Sequence, residues 1–284
     1  MTGPQLLASA RPNHAGRPRP LAPRGSWSSR MPRPVLVVGF GLAVLSFWQL
    51  SIVVFDIPSL ILPTPAEVAS DLVFVIGSIF TGGSFLSATT VTIIEVILGF
   101  AIAAAVGLAL GVIVGSTDFG NRAVMPYVVA LDTMPKVAFA PLFVAWFGFD
   151  LESKYLMAAF IAFFPITVNT ATGLAATDQG MKMLFRSLEA SRWQTLTKLQ
   201  LPHALPYIFA GLKLASVASV TGVVFAEYMG GGEGLGELVR VAASQLMVDR
   251  VFSLIVILSL MGLLLFGLMV LLERRFASWD RSDS

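Results

Sequence analysis

Residues 251–272 read VFSLIVILSLMGLLLFGLMVLL, a run of 22 residues without a charge. At 1.5 Å per residue, an α-helix of this length spans the hydrocarbon core of a bilayer, which is about 30 Å thick. Backbone groups inside lipid must form their hydrogen bonds within the chain, which favours a helix over an open strand. This stretch therefore predicts a membrane-spanning helix.

The composition of the whole chain agrees with that prediction. Of its 284 residues, 56% are hydrophobic and 13% are charged, and the mean hydropathy is +0.80. Soluble domains carry about 25% charged residues, so this chain has too few charges to cover a water-exposed globule. A soluble enzyme, a disordered chain and a nucleic-acid-binding protein are therefore poor interpretations.

Five other apolar runs are long enough to cross a membrane. The third of the six runs carries Asp132 and Lys136 near its middle, and we expect the fourth to break at Pro165 because proline removes a backbone donor. The sequence predicts an all-α, polytopic membrane protein with six transmembrane helices, at residues 35–55, 87–116, 123–149, 155–177, 207–228 and 251–272.

Residues 1–34 differ from the rest of the chain. They contain six arginines, seven prolines and no acidic residue. Such a segment buries too little apolar surface to offset the entropy of ordering it, so we expect a disordered basic tail before a membrane domain at residues 35–284. The apolar run after it is too long for a signal peptide. Met31 is an alternative start of translation.

The orientation follows from the distribution of lysine and arginine. If the N-terminus is cytoplasmic, 14 of these residues fall on the cytoplasmic side and three on the opposite side, with Lys136 and Lys213 inside spans. Cytoplasmic loops carry an excess of such residues. We therefore expect a multi-pass protein of a plasma membrane with both termini in the cytoplasm.

The polar segment between the fourth and fifth spans, residues 178–206, has its own pattern. Its apolar residues recur at helical spacing, and Ser191 followed by Gln194 is typical of a capping box that starts a second short helix. Pro202 is expected to end or kink that helix. Two surface helices of this kind either lie on lipid headgroups or dock a partner, and the pattern alone does not separate these alternatives.

This segment resembles the signature of permeases in binding-protein-dependent ABC importers, which is E-A-A, three residues, G, nine residues, then I-x-L-P. Aligned on Leu201 and Pro202, the isoleucine falls on Leu199, the glycine on Glu189, and E-A-A on residues 183–185. The second half of the signature therefore matches, and the first half does not.

Further stretches are similar to the nitrate, sulfonate and taurine subgroup of these permeases, and the resemblance covers about residues 60–275. The stretches are LPTPAEV at 62–68, MPKVAFAPLFVAWFGFD at 134–150, FFPITVNTATGL at 163–174 and FAEYMGGGEGLGELV at 225–239.

The resemblance implies a non-catalytic permease of the type I ABC importer fold in a bacterial plasma membrane. The chain has no G-x-x-x-x-G-K-[ST] phosphate loop, so ATP would be hydrolysed by a separate ATPase subunit and no cofactor would be bound here. Other implied partners are a soluble substrate-binding protein and a second permease copy, most simply a homodimer. The implied substrate is a small solute, an anion of the nitrate, sulfonate or taurine class, with a thiamine-precursor pyrimidine or another nutrient as the alternative. The implied ATPase-coupling residues are Arg186, Glu189, Ala190, Ser191, Arg192, Trp193, Leu196, Leu199, Leu201 and Pro202.

Charged residues inside the spans offer further candidates. Asp132 and Lys136 are four residues apart, so they can pair on one face of a helix. The pair either lines a translocation path or neutralises itself at a break near Pro135.

Glu95 and Glu227 would be the proton relays if the chain were instead a transporter driven by an ion gradient. We expect Glu95 near a membrane interface and Glu227 at the end of a span.

A membrane enzyme and a metal protein are the remaining classes. The chain has no cysteine and only two histidines, His14 and His203, far apart in sequence. We expect no metal site, since zinc sites need several such ligands. No plausible cluster of acid, base and nucleophile is visible. The glycines at 230–236 are expected to form a flexible turn rather than a phosphate loop.

Overall fold

The computed structural model describes residues 32–277, and the tail predicted at residues 1–34 lies almost entirely outside them. Every regular element in the described range is a helix. The α-helices are α1 (Arg33–Phe55), α2 (Pro65–Thr81), α3 (Ser84–Gly115), α4 (Met125–Asp132), α5 (Ala140–Phe147), α6 (Leu151–Ala175), α7 (Gln179–Ser187), α8 (Arg192–Thr195), α9 (Leu201–Gly230), α10 (Leu235–Ser244) and α11 (Val248–Phe276).

Five helical stretches in the described range are long and apolar enough to cross a membrane, and a bent pair of helices makes a sixth if the pair is one span. The five are Pro34–Phe55, Ser84–Gly115, Leu151–Ala175, Arg192–Gly230 and Val248–Phe276. Together with the bent pair, they lie where the six apolar runs predict spans.

The third predicted span is not one straight helix. A π-helical turn and α4 end at Asp132, a 3₁₀ turn begins at Lys136, and the two halves meet at an angle of 78°. Pro135 explains the break, because its ring removes a backbone donor and disfavours helical geometry at the residue before it.

The chain divides into two compact units, Met1–Leu50 and Ser51–Ser284. In the described part of the first unit, most of the large apolar side chains of α1 are exposed, which suits contact with lipid. The second unit holds all other helices and the buried apolar clusters.

The centre of the second unit is a close packing of α3, α6 and α9. A Cβ atom placed on Gly99 in α3 would lie 2.6 Å from Ala158 Cβ, and one on Gly222 in α9 would lie 2.6 Å from Ala158 Cα. Gly111 meets α6 in the same way, at Thr170. Small residues let membrane helices approach until their backbones nearly touch, which strengthens van der Waals packing. These three helices therefore form a tightly packed group.

The break expected at Pro165 is wrong, and so is the first of the two alternatives given for Pro202, a helix end. Helix α6 continues through Pro165, and the side-chain amide of Asn169 donates to the Pro165 carbonyl at 2.7 Å. Pro202 does not end a short helix, because α8 continues through a π-helical turn at Leu196–Gln200 into α9. The wider π turn accommodates a proline at the start of α9, and side chains and neighbouring helices satisfy freed groups in membrane helices.

Two shorter helices, α2 and α10, were not expected from the sequence. Thr64 and Glu67 form a capping box at the start of α2, with Pro65 in its first turn. Arg250 pairs with Asp71 and lies over the rings of Phe74 and Phe85, at 5.0 and 5.3 Å. These contacts hold α2 against α3 and α11.

Candidate functional site

The 178–206 loop begins with two local helix caps. Asp178 accepts a hydrogen bond from the Met181 amide at 2.8 Å, which caps α7. Ser191 accepts from the Gln194 amide at 3.2 Å, and Gln194 accepts from the Ser191 amide at 2.8 Å. The capping box predicted at Ser191 is confirmed. Each cap satisfies backbone donors that the first turn of a helix leaves without partners.

The turn between α7 and α8 has a left-handed residue at Glu189. Its φ is 55°, in the position where the family signature has glycine. A residue with a Cβ atom in this region stores about 1 kcal/mol or more of strain. The amides of Glu189 and Ala190 close the turn by donating to the carbonyls of Arg186 and Phe185. The geometry therefore explains why a glycine suits this position.

The expected coupling residues separate into an outer and an inner set. Trp193 is 71% exposed and Leu188 is 70% exposed, which is unusual for large apolar side chains. Leu196 instead packs against the buried residues Leu174, Ala204 and Ile208. The exposed set is Arg186, Glu189, Ser191, Arg192 and Trp193, and the half-buried set is Ala190, Leu196, Leu199, Leu201 and Pro202.

A groove of about 710 Å³ lies beside Trp193. Its walls come from the 178–206 loop and from the connection between α3 and α4, which sequence reasoning did not include. The lining side chains that carry charge are Lys182, Arg186, Arg192 and Asp118. The groove and the exposed tryptophan together form a mixed basic and apolar surface, suited to contact with a folded partner.

Asp132 and Lys136 pair as expected, on the two sides of the break in the third span. Lys136 Nζ lies 2.8 Å from Asp132 Oδ1 and donates to the Asp132 carbonyl at 2.6 Å. The ammonium also lies 5.1 Å from the ring centre of Phe164 in α6. The lysine thus satisfies a backbone carbonyl that the break leaves without a helical partner.

A second group of charges was largely missed from the sequence. Glu95 in α3 and Glu227 in α9 are fully buried, and Lys154 in α6 is 3% exposed. Lys154 Nζ lies 3.4 Å from Glu95 Oε1. Glu95 is thus enclosed by protein, a burial that the sequence did not predict, and Lys154 belongs to the first turn of α6. Glu227 lies three residues before the end of α9, as expected.

The buried charges also bind the segment that follows α9. Thr92 donates to Glu227 Oε1 at 2.6 Å, and the Gly236 amide donates to Glu227 Oε2 at 2.6 Å. Lys154 donates to the carbonyl of Glu233 at 2.9 Å. These partners come from distant parts of the chain, so local periodicity carries no signal for them. Among residues 32–277, no group of three or more His, Cys, Asp or Glu is arranged to hold a metal ion.

The helical spans, the broken third span and the 178–206 loop together define a class of membrane transport protein. The family described as binding-protein-dependent transport system inner membrane component matches residues 107–278. The chain belongs to this family, the permease components of ABC transporters.

Three relatives align with nearly their whole length. The formylaminopyrimidine transport permease of Halalkalibacterium halodurans is 33% identical over 86% of this chain and 95% of its own length. The putative aliphatic sulfonates transport permease of Bacillus subtilis is 31% identical over 94% of this chain and 93% of its own. The taurine transport system permease of Escherichia coli is 28% identical over 90% of this chain and 94% of its own.

Proposed function

We propose that this chain forms the translocation path of an ATP-driven importer, as one of two identical permease subunits. A separate ATPase subunit would bind at the 178–206 loop, and a soluble binding protein would deliver the solute from the other side of the membrane. The observation that carries this proposal is the exposed Trp193 beside a basic groove, on a short segment between two spans of a protein of the permease family.

The ATPase contact is argued from the chemistry of the loop. A docking helix fills a groove on its partner with apolar anchors, and an aromatic residue in such a place contributes several kcal/mol to binding. Trp193 and Leu188 are free to act in this way, whereas Leu196 is already packed against the bundle. Arg186 and Arg192 add positive charge that would complement an acidic rim.

Replacing Trp193 tests the contact. Trp193→Ala should lose co-purification of the ATPase, since removal of an interface anchor costs about 2 kcal/mol or more. Because Trp193 is exposed, the variant should stay in the membrane and unfold at the wild-type temperature. The matched control is Trp146→Ala, which removes another exposed tryptophan, 63% exposed, from α5. Normal ATPase binding and transport by Trp193→Ala would show that the loop only lies on the lipid surface.

The orientation is proposed from the bias of 14 basic residues to three. Reporter domains fused after residues 150 and 240 should be extracytoplasmic, and one fused after residue 190 should be cytoplasmic. A cytoplasmic signal at residue 240 would reverse the assignment and would remove the 178–206 loop from the side where ATP is found.

We propose a small anion of the sulfonate, nitrate or taurine class as the solute. Support comes from the sulfonate and taurine relatives, and the relative that transports formylaminopyrimidine favours a pyrimidine as the second candidate. Taurine, an alkanesulfonate, nitrate and formylaminopyrimidine should be tested as stabilising ligands of the soluble binding protein that co-purifies with this permease. Uptake into proteoliposomes by this chain without any ATPase would instead favour a transporter driven by an ion gradient.

Asp132 and Lys136 are proposed to face the translocation path. Broken helices at membrane depth are tolerated where they line a cavity or are buried in protein. Lys136→Gln and Asp132→Asn should each change the KM of transport by several-fold. The matched control is Lys213→Gln, which removes another partly exposed ion pair of a spanning helix, Lys213 with Glu273 at 2.9 Å. Equal effects of Lys136→Gln and Lys213→Gln would reduce the first pair to a structural role.

A further inference from the structure

The buried charges lie where the first turn of α6 and the last turn of α9 meet the first half of α3. Glu95, Lys154 and Glu227 come one each from α3, α6 and α9, the helices whose glycines pack closest. Within residues 32–277, neither oxygen of Glu95 meets a hydrogen-bond donor in good geometry, whereas both oxygens of Glu227 do. Charges are costly at this depth and persist where they pair or perform a function. Glu227 is therefore the member that binds its surroundings most strongly.

Residues 231–247, which we call the cap, comprise a glycine-rich connection and α10. The first residue before α10 is Gly234, which has no side chain to cap the helix. Residues of two other helices cap α10 instead. Glu227 accepts from the Gly236 amide, and Thr92 accepts from the Leu235 amide at 2.9 Å. A carboxylate at a helix N-terminus is favoured by the helix dipole as well as by these bonds.

The Glu227 carboxylate leaves no room for a side chain at two glycines of the cap. A Cβ atom on Gly234 would lie 2.1 Å from Glu227 Oε1, and one on Gly236 would lie 2.8 Å from Glu227 Oε2. Lys154 holds the connection from the other side through the Glu233 carbonyl. Leu235 adds apolar contact with Val75, Ala88 and Leu254. The cap is thus fixed to the bundle by a carboxylate, an ammonium and one apolar side chain.

One continuous helix joins this site to the proposed ATPase contact. Helix α8, the π turn and α9 run without a break from Arg192 to Gly230. Trp193 stands in the first turn of that stretch and Glu227 in the last. A displacement of one end is therefore carried to the other end through helical hydrogen bonds and through packing against α6.

We propose that Glu95, Lys154 and Glu227 form a latch through which movement of the long helix positions the cap during the transport cycle. Glu227 is the positioning residue, Lys154 holds the connection, and Glu95 supplies the counter-charge for Lys154. This proposal rests on the proposed function, in which the ATPase acts at Trp193. It assigns to the buried charges the transmission of movement from the ATPase contact to the cap, in addition to their contribution to folding.

The experiment uses two pairs of spin labels in the full complex with its ATPase. The chain has no cysteine, so labels attach only to introduced ones. Glu152→Cys in α6 with Ala243→Cys in α10 reports the position of the cap. Ser116→Cys with Ser187→Cys reports the 178–206 loop. Distances are measured without nucleotide and after trapping with ATP and vanadate.

The variants weaken the hydrogen bonds that hold the cap at Glu227 and Thr92, without changing side-chain size greatly. Glu227→Gln replaces one acceptor oxygen by a donor that faces the Gly236 amide or the Thr92 hydroxyl. Thr92→Val is the second variant, in case Glu227→Gln does not fold. Glu237→Gln is the matched control, since it changes a carboxyl group on α10 that pairs with Arg240 and is not one of the three latch residues.

In wild type and in Glu237→Gln, we expect both label pairs to change distance on trapping. In Glu227→Gln or Thr92→Val, the loop pair should still respond. The cap pair should lose its response, and the population of undocked cap should rise by roughly 10-fold or more.

Two results would refute different claims. A cap pair as ordered and as responsive in Glu227→Gln and Thr92→Val as in wild type would overturn the latch, whatever the loop pair does. A loop pair that ignores nucleotide in wild type would overturn the ATPase contact, and with it the transmission step. Unfolding of the variants with both responses intact in the folded fraction would leave the buried charges a purely structural role and overturn the proposal.

Discussion

The 178–206 loop and the cap both join two membrane spans through short helices, but the large apolar residues in the first turns of α8 and α10 lie in opposite environments. Trp193 and Leu188 of the loop are exposed, whereas Leu235 of the cap is fully buried. The helices of the loop are capped by their own neighbours, Asp178 and Ser191, and α10 is capped by residues of α3 and α9. The loop, whose large apolar side chains are exposed, is suited to binding a partner protein. The cap, which is held by residues of α3 and α9, is suited to moving together with those helices.

The largest effect that would sharpen this comparison is expected at Gly234. Gly234→Ala places a Cβ atom on the Glu227 carboxylate and adds strain at a φ of 144°. Gly232→Ala is the matched control, with a φ of 88° and 3.6 Å of space to the Lys154 ammonium. We expect Gly234→Ala to lower the free energy of unfolding by about 2–3 kcal/mol more than the control. Thermal unfolding in detergent measures the difference, and equal losses would show that the Glu227 contact is not tight.

A smaller loss is expected from Thr92→Val, which leaves the Leu235 amide and one oxygen of Glu227 without their hydroxyl partner. The cost of such buried unsatisfied groups is about 1–3 kcal/mol. Thr90→Val on the same helix is the control, because the Thr90 hydroxyl is exposed and bonds within its own helix, at the carbonyl of Leu86. Chemical unfolding followed by tryptophan fluorescence should show the loss for Thr92 alone. A similar loss in both variants would place the effect in α3 itself rather than at the cap.

In the 178–206 loop, removing the side chain that caps a helix N-terminus should have a more local effect on stability. Ser191→Ala removes the acceptor for the Gln194 amide and should cost about 1 kcal/mol of helix stability. We expect weaker ATPase binding with an unchanged unfolding temperature, since Ser191 is exposed and precedes the residues of the loop that pack against the bundle. Ser187→Ala serves as the control, because the Ser187 hydroxyl bonds the Met183 carbonyl within α7. A global loss of stability in Ser191→Ala would contradict the contrast between loop and cap.

The smallest effect, and a favourable one, is expected at the turn of the loop. Glu189→Gly removes the strain of a φ of 55° and should raise the stability of the turn by up to about 1 kcal/mol. ATPase binding should be unchanged or stronger. Glu189→Ala keeps the strain and removes the carboxylate, so it isolates the contribution of charge. If Ala and Gly behave alike, the carboxylate, not the backbone, determines the result.

The sequence predicts the spans well because the signal for a membrane helix is local. Residues 251–272 need no partner to be recognised, and the observed α11 contains all of them. The capping box at Ser191 is equally local and is confirmed. The break predicted at Pro165 and the helix end predicted at Pro202 are wrong, because neighbouring groups and a π turn decide whether a proline breaks a membrane helix.

The charged residues of the candidate site show the same limit of prediction from local sequence. The Asp132–Lys136 pair is visible from a spacing of four residues, whereas Thr92 and Glu227 are 135 residues apart. The sequence around Glu95, apolar mainly on one side, predicts a position near a membrane interface but carries no signal for burial between helices. Its burial depends on α6 and α9, which no window around Glu95 contains. The glycines that follow Glu227 are a local signal, because Gly234 and Gly236 leave the space that the Glu227 carboxylate occupies.

The length of the helix from Arg192 to Gly230 has a mechanical consequence. Its 39 residues make it about 58 Å long at 1.5 Å per residue, nearly twice the thickness of the hydrocarbon core. As a lever pivoting at its midpoint, it moves each end by about 5 Å for a tilt of about 10°, in opposite directions, which is close to one helical turn. The hydrogen bond of 2.6 Å between Gly236 and Glu227 breaks under such a displacement unless the cap travels with the lever. A rotation about the midpoint of the helix, Gly211, leaves the close approach of Gly211 to the Pro165 carbonyl in place, and it is large enough at both ends to change which residues meet.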